Sequence, residues 1–462
     1  MPAELSGRFV ADALGLPPPP GPDILFTGVS TDSRTLEPGA LFVPIRGQRF
    51  DGHDFLPAAL ERGARGVVAS RTVAGGGHGV AVFSVPDTLA AFQALAKAWR
   101  RQFAIPVVAV AGSVGKTTTK ELLAAALSGR FRVLKTEASR NGDVGIPMTL
   151  LELKPEHEVA VVEIGIDEVG AMERHLDLVR PTGAVVTAIG AEHLEKLHNI
   201  STVAREESLA LEAVAHEGGL AVVNLDDLWL APLFETLGTP AKIGFTLEAG
   251  PPKPGVLRGR VSEAFEELHV DGEAFALPLP GGHNASNLLA AIAVATGLGL
   301  SAGEMRRGLE SFRPVAGRSE IRRMAAGPLV ICDYYNANPT SMAAALELLA
   351  SLTSPGAKWA CLGDMLELGP DEERLHRGLA EPLRRSGVAH VLLAGPRMAA
   401  LAGELQTLGF PGSVAHFSNV EDLARALARG VRPEDAVLIK GSRGMRMERV
   451  LPELEALAGK ER

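Results

Sequence analysis

A short glycine-containing loop in the first third of the chain limits what this sequence can fold into. The loop follows the apolar run Val107–Ala111 and precedes a helical pattern over Glu121–Leu127. It reads Gly112, Ser113, Val114, Gly115, Lys116, Thr117, Thr118. A continuous apolar run of this length is typical of a buried parallel strand. The order of strand, glycine loop and helix therefore predicts an α/β sheet with a phosphate-binding loop.

The residue types in the loop favour a nucleotide triphosphate as the ligand. Glycines let backbone N–H groups turn toward a phosphate at the N-terminus of a helix. Lys116 can reach the outer phosphates, and a threonine hydroxyl such as that of Thr117 can ligate Mg²⁺. Val110 stands where longer loops of this kind have their first glycine, so this is the shorter form. A glycine-rich turn that only joins a strand to a helix is the alternative.

Apolar strands alternate with helical patterns along the whole chain, which is the signature of parallel sheets with crossover helices. The central strand-like runs are Val107–Ala111, Val159–Ile164, Gly183–Ile189 and Leu220–Asn224. A linker at 312–317 precedes the runs Leu329–Cys332, Lys358–Leu362, Val391–Ala394 and Ala436–Ile439. We therefore expect three α/β domains, at 1–98, 99–313 and 314–462.

Length and composition agree with this division. The 462 residues correspond to roughly three domains at about 150 residues each. A formal net charge of −9 argues against a partner such as nucleic acid, whose phosphates need neutralising. The two cysteines, Cys332 and Cys361, fit a reducing compartment. Without a signal-peptide pattern or an apolar run of membrane-spanning length, we expect a cytoplasmic protein that does not insert into membranes.

Polar residues follow several of the predicted strands, at the sheet edge where α/β proteins bind their ligands. Glu163 ends the run Val159–Val162, and His193 follows the run Gly183–Ile189. A carboxylate and an imidazole at this edge are candidate Mg²⁺ ligands. A solvated strand end and a hydrogen-bonded loop histidine are the alternatives.

The only two tyrosines of the chain, Tyr334 and Tyr335, are adjacent and follow a predicted strand. This clustering indicates a site. Charged residues that follow the last strand could bind an anion there or form a surface ion pair. Ser33 and Arg34, near the start of the chain, could bind uridine or pyrophosphate oxygens through charge-assisted hydrogen bonds. The candidate binding residues of the last domain are Asp333, Tyr335, Asn336, Asn338, Lys440 and Arg443.

Together, these elements resemble the ATP-dependent Mur ligases, which build the peptide of a cell-wall precursor. The resemblance extends over nearly the whole chain. In the first and central domains it rests on Asp32-Ser33-Arg34, Asp51-Gly52-His53, the loop Gly112–Thr118, Glu163-Ile164-Gly165, His193-Leu194-Glu195 and Gly282-His283-Asn284 with Asn287. In the last domain it rests on Arg318, the segment Asp333–Pro339, Gly363-Asp364-Met365 and Lys440-Gly441-Ser442-Arg443.

The resemblance implies an activity and a division of labour among the domains. ATP would phosphorylate the terminal carboxylate of UDP-MurNAc-tripeptide, and the amine of D-Ala-D-Ala would attack the acyl phosphate to give an amide, ADP and phosphate. A small N-terminal α/β domain would bind the UDP-sugar, and a central P-loop ATPase-type domain would bind ATP with Mg²⁺. A C-terminal Rossmann-like domain would bind the incoming dipeptide. We expect the chain to act as a monomer.

The resemblance also implies roles for single residues. Asn284 and Asn287 would recognise adenine, and Arg318 would reach the nucleotide from the last domain. Asn141 would contact the substrate, although the segment Ser139–Asp143 keeps one asparagine where the family has several. The implied catalytic residues are Lys116, His193, Glu207 and Arg318, and the implied metal ligands are Thr117, Glu163, His193 and Glu207.

Glu207 marks a departure from the family pattern. The family carbamylates a lysine fourteen residues after the equivalent of His193 and uses it as an extra metal ligand. This sequence has Glu207 at that position and no lysine between Lys196 and Lys242. Because Mg²⁺ prefers oxygen ligands, we expect the Glu207 carboxylate to serve instead. A solvated helix residue beside Glu206 is the alternative.

Two other functions remain open from the sequence. One is a related ligase that adds a single amino acid or uses another peptide, against which the segment Asp333–Pro339 argues. The other is a homologue that binds a nucleotide without catalysis, for which the departures from the family pattern are the evidence.

The phosphate loop yields a first prediction. Lys116→Ala removes the positive charge that would stabilise the transferring phosphoryl group, so we expect the rate of ligation to fall by about 10³-fold or more. Because the lysine is not a core contact, the fold should stay intact, and the far-ultraviolet circular dichroism spectrum should stay close to that of the parent protein. Ligation at more than a tenth of the parent rate would contradict this role of Lys116.

Overall fold

The computed structural model describes residues 5–47, 50–73, 79–263, 265–325 and 327–456. Its strands form three separate sheets that follow one another along the chain. The three-domain α/β fold class expected from the sequence is thereby confirmed. Among the described residues, no helix is both long enough and apolar enough to cross a membrane.

The first sheet is small and parallel, with its four strands in sequence order. Its strands are β1 (Val29–Ser30), β2 (Leu41–Phe42), β3 (Gly66–Ala69) and β4 (Ala81–Ser84). The helices of this region are α1 (Gly7–Ala13), α2 (Leu56–Glu61) and α3 (Thr88–Arg100), and a 3₁₀ turn covers Gly52–Phe55. The last turn of α3 packs into the next core, because Trp99 is buried there and Arg100 donates to the Val179 carbonyl.

The central sheet has nine strands in the order β13-β12-β11-β10-β9-β8-β5-β7-β6. They are β5 (Val107–Ala111), β6 (Val133–Lys135), β7 (Val159–Glu163), β8 (Gly183–Val186), β9 (Leu220–Asn224), β10 (Lys242–Thr246), β11 (Val256–Val261), β12 (Glu267–Val270) and β13 (Glu273–Ala276). Strands β5 to β11 pair in parallel, and the β11-β12-β13 edge is antiparallel. The strands β6 and β7 lie on one side of β5, and β8 lies on the other. The order of strands therefore reverses at β5. Ligands of open α/β sheets bind at such a point.

Helices cover both faces of the central sheet, which explains why its parallel strands are almost entirely apolar. One face carries α5 (Gly145–Leu151), α6 (Ala171–Val179) and α8 (Ile200–His216). The other carries α4 (Lys116–Ser128), α10 (Gly282–Gly297) and α11 (Ala302–Leu309). Two short helices, α7 (Leu194–Leu197) and α9 (Leu233–Thr236), lie in the connections after β8 and β9.

The third sheet has the strand order β14-β15-β19-β16-β17-β18 and is parallel except for β14. Its strands are β14 (Glu320–Arg323), β15 (Leu329–Asp333), β16 (Lys358–Gly363), β17 (His390–Ala394), β18 (Ser413–Phe417) and β19 (Ala436–Lys440). Its helices are α12 (Pro339–Ser351), α13 (Glu372–Arg377), α14 (Ala380–Arg385), α15 (Met398–Thr407), α16 (Val420–Gly430) and α17 (Leu451–Glu455). Short 3₁₀ turns cover Gly369–Asp371, Arg443–Met445 and Met447–Val450.

One predicted strand is shorter than expected, and the reason bears on the site. The apolar run Gly183–Ile189 predicts a strand to its end, but β8 stops at Val186. The next residues leave the sheet to hold the phosphate loop. The Ser113 N–H donates to the Ala188 carbonyl at 2.7 Å, and the Thr187 hydroxyl bonds the Ala111 carbonyl at 3.1 Å.

The packing of α11 on α4 yields a prediction with an internal control. A Cβ at Gly308 would lie 2.1 Å from the Ala125 carbonyl oxygen, whereas a Cβ at Gly303 in the same helix meets nothing nearer than 3.8 Å. We expect Gly308→Ala to lower the free energy of unfolding by about 1 to 3 kcal/mol through overpacking. Gly303→Ala should be neutral or stabilise by up to about 1 kcal/mol through helix propensity. Urea unfolding measures both, and equal effects would contradict this account of the packing.

Candidate active site

The phosphate loop has the conformation that its glycines predict. Gly112 and Gly115 adopt φ angles of 117° and 88°, in the left-handed region that other residues avoid. Close neighbours exclude a side chain as well: a Cβ at Gly112 would lie 2.4 Å from the Thr187 hydroxyl, and one at Gly115 would lie 2.3 Å from the Asn287 amide oxygen. The loop then enters α4 at Lys116, so unpaired N–H groups of the helix start face the same space.

Lys116 lies among carboxylates. Its ammonium donates to the Gly112 carbonyl, and its Nζ is 3.6 Å from Oε1 of Glu192. Burial opposes the charge on Lys116, but Glu192, Glu207 and Glu163 outweigh it and raise the pKa of the lysine. The ammonium is therefore held in its charged form at the position where an outer phosphate of a nucleotide would arrive.

Glu163 and Thr117 form the part of the site that fits a divalent cation. Oε1 of Glu163 accepts from the Thr117 hydroxyl at 3.2 Å and from the Asn141 amide at 2.8 Å. Oε2 is buried and has no hydrogen-bond partner among the described residues, and its nearest cation is Lys120 at 3.6 Å. A buried carboxylate oxygen left in this way, beside a hydroxyl and a phosphate loop, suits Mg²⁺, which commonly binds one or two carboxylates together with phosphate oxygens.

Arg318 is a residue of the third domain that contacts the phosphate loop. Its Nη2 donates to the Thr117 hydroxyl at 3.2 Å, although the two residues are 201 positions apart in sequence. Its guanidinium stacks over the Tyr335 ring, 4.0 Å from the ring centroid. Stacking on an aromatic face fixes the planar group, so Arg318 is held in place between the two domains.

Other residues of the third domain lie beside Arg318 and form a second side of the site. The Lys440 ammonium contacts Oδ2 of Asp333 at 2.6 Å and the Asn336 carbonyl at 3.0 Å, and it is almost fully buried. Burial would raise the pKa of Asp333, but Lys440 reverses this and holds that pKa below its usual value. Asn338 accepts from the Ser341 N–H at 2.8 Å and caps α12.

One cavity of about 550 Å³ joins these walls. It brings together most of the site residues expected from the sequence, although they come from two sheets. The predicted residues that line it are Ser113, Val114, Gly115, Lys116, Thr117, Thr118, Asn141, Glu163, His193, Asn284, Asn287, Arg318, Asp333, Tyr335, Asn336, Asn338 and Lys440.

The two asparagines expected to recognise adenine are engaged within the protein. Oδ1 of Asn287 accepts from the Thr119 hydroxyl at 3.2 Å, and Asn284 donates to the Pro280 carbonyl at 2.8 Å. Both still line the cavity beside the loop. Asn287 also fills the space next to Gly115, so it supports the loop from the start of α10.

The structure does not bring the expected metal ligands together as one set. No group of three or more His, Cys, Asp or Glu side chains in the described ranges could hold a metal ion. Glu207 is fully buried in α8, outside the cavity lining, and its Oε2 accepts from the Gly112 N–H at 2.7 Å. The Nδ1 of His193 lies 2.6 Å from Oε2 of Glu367. Glu207 therefore contacts the loop backbone and is not the solvated helix residue of the alternative, and the expected metal role of Glu207 stays a prediction.

Four further predicted residues lie outside the cavity lining, and one of them is Gly112 at the start of the phosphate loop. Arg34 pairs with Asp32 at 2.7 Å in the first domain, and its side chain is 86% exposed. Ser33 is buried next to it. Arg443 pairs with Glu448 at 3.2 Å and lies 5.7 Å from the Tyr335 ring centroid.

Several residues that the sequence analysis missed also line the cavity, among them Glu192, Asp143 and His175. Burial raises the pKa of Glu192 to about 8, against the opposing charge of Lys116. Its place directly before His193 at the sheet edge was a usable signal. His175 approaches Asp143 at 3.1 Å from within α6, and nothing in the helical pattern distinguished it from a core residue.

The fold and the cavity define a class of α/β enzyme in which a phosphate loop acts together with a second, separate domain. Family models match nearly the whole chain: the Mur ligase family catalytic domain over residues 25–100, the Mur ligase middle domain over 110–295, and the Mur ligase glutamate ligase domain over 317–443. The chain belongs to the Mur ligase family, and the resemblance that the sequence motifs suggest is confirmed.

Individual relatives extend over almost all of the chain. The UDP-N-acetylmuramoyl-tripeptide--D-alanyl-D-alanine ligase of Synechocystis sp. is 37% identical over 439 residues, covering 94% of this chain and 93% of the relative. The enzyme of that name from Bacillus subtilis is 34% identical, covering 92% and 93%. A crystal structure of MurF from Acinetobacter baumannii matches with a TM-score of 0.84 at 28% identity, covering 98% and 99%. MurF ligase from Thermotoga maritima in complex with ADP gives 0.77 at 27% identity, covering 94% and 98%.

The Asp333 and Lys440 pair yields a stability prediction. Lys440→Met leaves a buried carboxylate without its cation, so we expect the free energy of unfolding at pH 7 to fall by about 3 kcal/mol. The double variant Asp333→Asn with Lys440→Met should lose less, because neither charge remains. Because the pKa of Asp333 is lowered, the contribution of the pair is present at neutral pH and is lost as acid protonates the carboxylate.

Arg443→Met serves as the control for this measurement. Its side chain is 62% exposed, so its loss should change the stability by no more than about 0.5 kcal/mol. A double variant that is as unstable as Lys440→Met alone would show that shape, and not charge, determines the effect.

Proposed function

We propose that this chain joins D-Ala-D-Ala to UDP-MurNAc-tripeptide with ATP, giving UDP-MurNAc-pentapeptide, ADP and phosphate. The observation that carries the proposal is the contact of Arg318 with the Thr117 hydroxyl, which closes one cavity between the phosphate loop and the segment Asp333–Asn338. The high coverage by relatives that carry the name of this ligase supports the same choice. The relative from Thermotoga maritima, crystallised with ADP, supports ATP as the nucleotide.

The chain's own groups suit the first step, in which a carboxylate oxygen of the tripeptide attacks the γ-phosphorus and ADP leaves. Phosphoryl transfer needs positioning and charge neutralisation more than covalent catalysis. The loop N–H groups hold the phosphates, and Lys116 and Arg318 supply positive charge from two sides. Arg318 acts from the third domain, so the charge is complete only when that domain is in place.

Mg²⁺ belongs to the proposal as the metal of this site. Thr117 and Glu163 would hold it, and the bound ion would neutralise charge on the phosphates. His193, which lines the same cavity, remains a proposed metal ligand. Glu207, whose metal role stays a prediction, also supports the phosphate loop. Since its Oε2 accepts from the Gly112 N–H, it fixes the first turn of the phosphate loop from below.

In the second step the amine nitrogen of D-Ala-D-Ala forms a bond to the acyl carbon, and inorganic phosphate leaves with the bonding electrons. Tyr335, Asn336, Asn338 and Lys440 line the part of the cavity that the third domain forms, where the dipeptide would lie. The arrangement holds both reactants in a single space shared by two domains. Such positioning by itself accounts for a large part of the rate of a ligation.

Each domain has its own part in the proposed reaction. The domains are 1–98 for the UDP-sugar, with Ser33 and Arg34 as contacts, 99–313 for ATP, and 314–462 for the dipeptide. The protein acts as a monomer in the cytoplasm, where ATP and the nucleotide-linked substrate are both available. Nucleic acid and membrane lipid take no part in the reaction.

Product analysis tests the proposed reaction. We expect one ADP and one phosphate per amide formed, and phosphate release that requires both UDP-MurNAc-tripeptide and D-Ala-D-Ala. D-Ala alone serves as the control for a related ligase that adds one amino acid, and it should support little or no release. AMP with pyrophosphate would contradict the acyl phosphate route. Nucleotide binding without phosphate release under any substrate combination would favour the non-catalytic alternative.

A further inference from the structure

The motif Gly363-Asp364-Met365, singled out in the sequence, does not line the cavity. It stands at the end of β16, where the Asp364 side chain is almost fully buried. Its carboxylate accepts from the Met398 N–H at 2.9 Å and from the Arg397 N–H at 3.3 Å, which caps the start of α15. The motif therefore fixes the loop that follows it, and that loop reaches the central domain.

The end of the motif and the residue after it are held by hydrogen bonds within the third domain. The Met365 N–H donates to Nε2 of the buried His376 at 3.0 Å, and the Leu366 N–H donates to the Ser442 hydroxyl at 2.9 Å. The next residue, Glu367, has a φ of 63°, in the left-handed region. A non-glycine residue in this conformation costs free energy and persists where the surrounding structure imposes it. The position of Glu367 is thus set by the loop and not by its own preference.

Glu367 meets the segment that carries His193. Its Oε2 lies 2.6 Å from Nδ1 of His193, and its carbonyl accepts from the Glu195 N–H at 3.4 Å. Gly369 packs against the same segment: a Cβ there would lie 3.3 Å from the Leu194 carbonyl carbon. His193 itself has a φ of 49°. Main-chain and side-chain contacts between the two domains therefore coincide at the histidine that lines the cavity.

We propose that Glu367 is a positioning residue for His193. In this arrangement the Nδ1–H of His193 donates to the Glu367 carboxylate, so Nε2 keeps the lone pair. A carboxylate that accepts from one ring nitrogen fixes the tautomer and the orientation of a histidine and makes the other nitrogen a better ligand. Because Glu367 belongs to the third domain, the His193 ring is held in this orientation only while the third domain contacts the central domain.

The inference rests on the proposed function, in which His193 serves the phosphate end of the cavity. An ordinary surface ion pair is the competing explanation, since the side chains of Glu367 and His193 are 58% and 31% exposed. Exposed pairs contribute little to stability, so stability alone would not separate the two explanations. The test must ask whether Glu367 acts through His193.

A double-mutant cycle measures whether Glu367 acts through His193. Loss of a carboxylate that orients a metal-binding histidine typically costs 10- to 100-fold, so we expect Glu367→Ala to lower kcat/KM at limiting Mg²⁺ by about that factor. Glu367→Gln, whose amide oxygen can still accept the bond, should recover part of the loss. Combining Glu367→Ala with His193→Ala should cost no more than His193→Ala alone.

Glu373→Ala is the matched control. It removes a glutamate of the same domain with a side chain that is 67% exposed and that pairs only locally with Arg377 on α13. We expect its activity to equal that of the parent protein. A Glu367→Ala variant that matches this control, or losses that multiply in the double variant, would overturn the proposal.

A spectroscopic measurement provides a test that does not depend on ligase activity. In nucleotide-free protein labelled with ¹⁵N-histidine, long-range ¹H–¹⁵N correlations should show His193 as the Nδ1–H tautomer, with the signals assigned through His193→Ala. Glu367→Ala should abolish that preference, and Glu373→Ala should keep it. An Nε2–H tautomer in the parent protein would overturn the proposal. Inactive protein that still shows the Nδ1–H tautomer would place the failure in the proposed function.

Discussion

The contact between Arg318 and Thr117 is the interaction on which the rest of the site depends. It joins the carboxyl edges of two parallel sheets that belong to different domains, and a single cavity lies between them. Each edge alone offers only part of a catalytic centre: the loop and Glu163 on one side, Asp333 and Lys440 on the other. The stacking of Arg318 on Tyr335 holds its guanidinium in the bridging position.

Charges around Lys116 shape the phosphate loop. Lys116 lies among Glu163, Glu192 and Glu207, which raise its pKa despite burial. Glu207 also accepts from the loop backbone, so one carboxylate both compensates the lysine and fixes the turn at Gly112.

The segment from Gly363 to Gly369 shows how a motif can serve a site without lining it. Asp364 caps a helix, the following amides are bonded to His376 and Ser442, and the loop then delivers Glu367 to His193. A pattern of residue types indicates that such a segment matters. It does not indicate which residue makes the contact, because that depends on where the loop ends relative to another domain.

The sequence by itself determined the α/β class, the phosphate loop and the family. Apolar runs and a glycine loop that ends in Lys116 are local patterns, so they can be recognised without the tertiary structure. It also identified most residues of the cavity, because the ends of parallel strands share one edge. Only the tertiary structure decided which of them meet. Glu207 turns to the Gly112 amide, Glu192 lies next to Lys116, and Glu367 reaches His193 from another domain. These contacts join residues far apart in the chain, so no local pattern of apolar and polar residues could specify them.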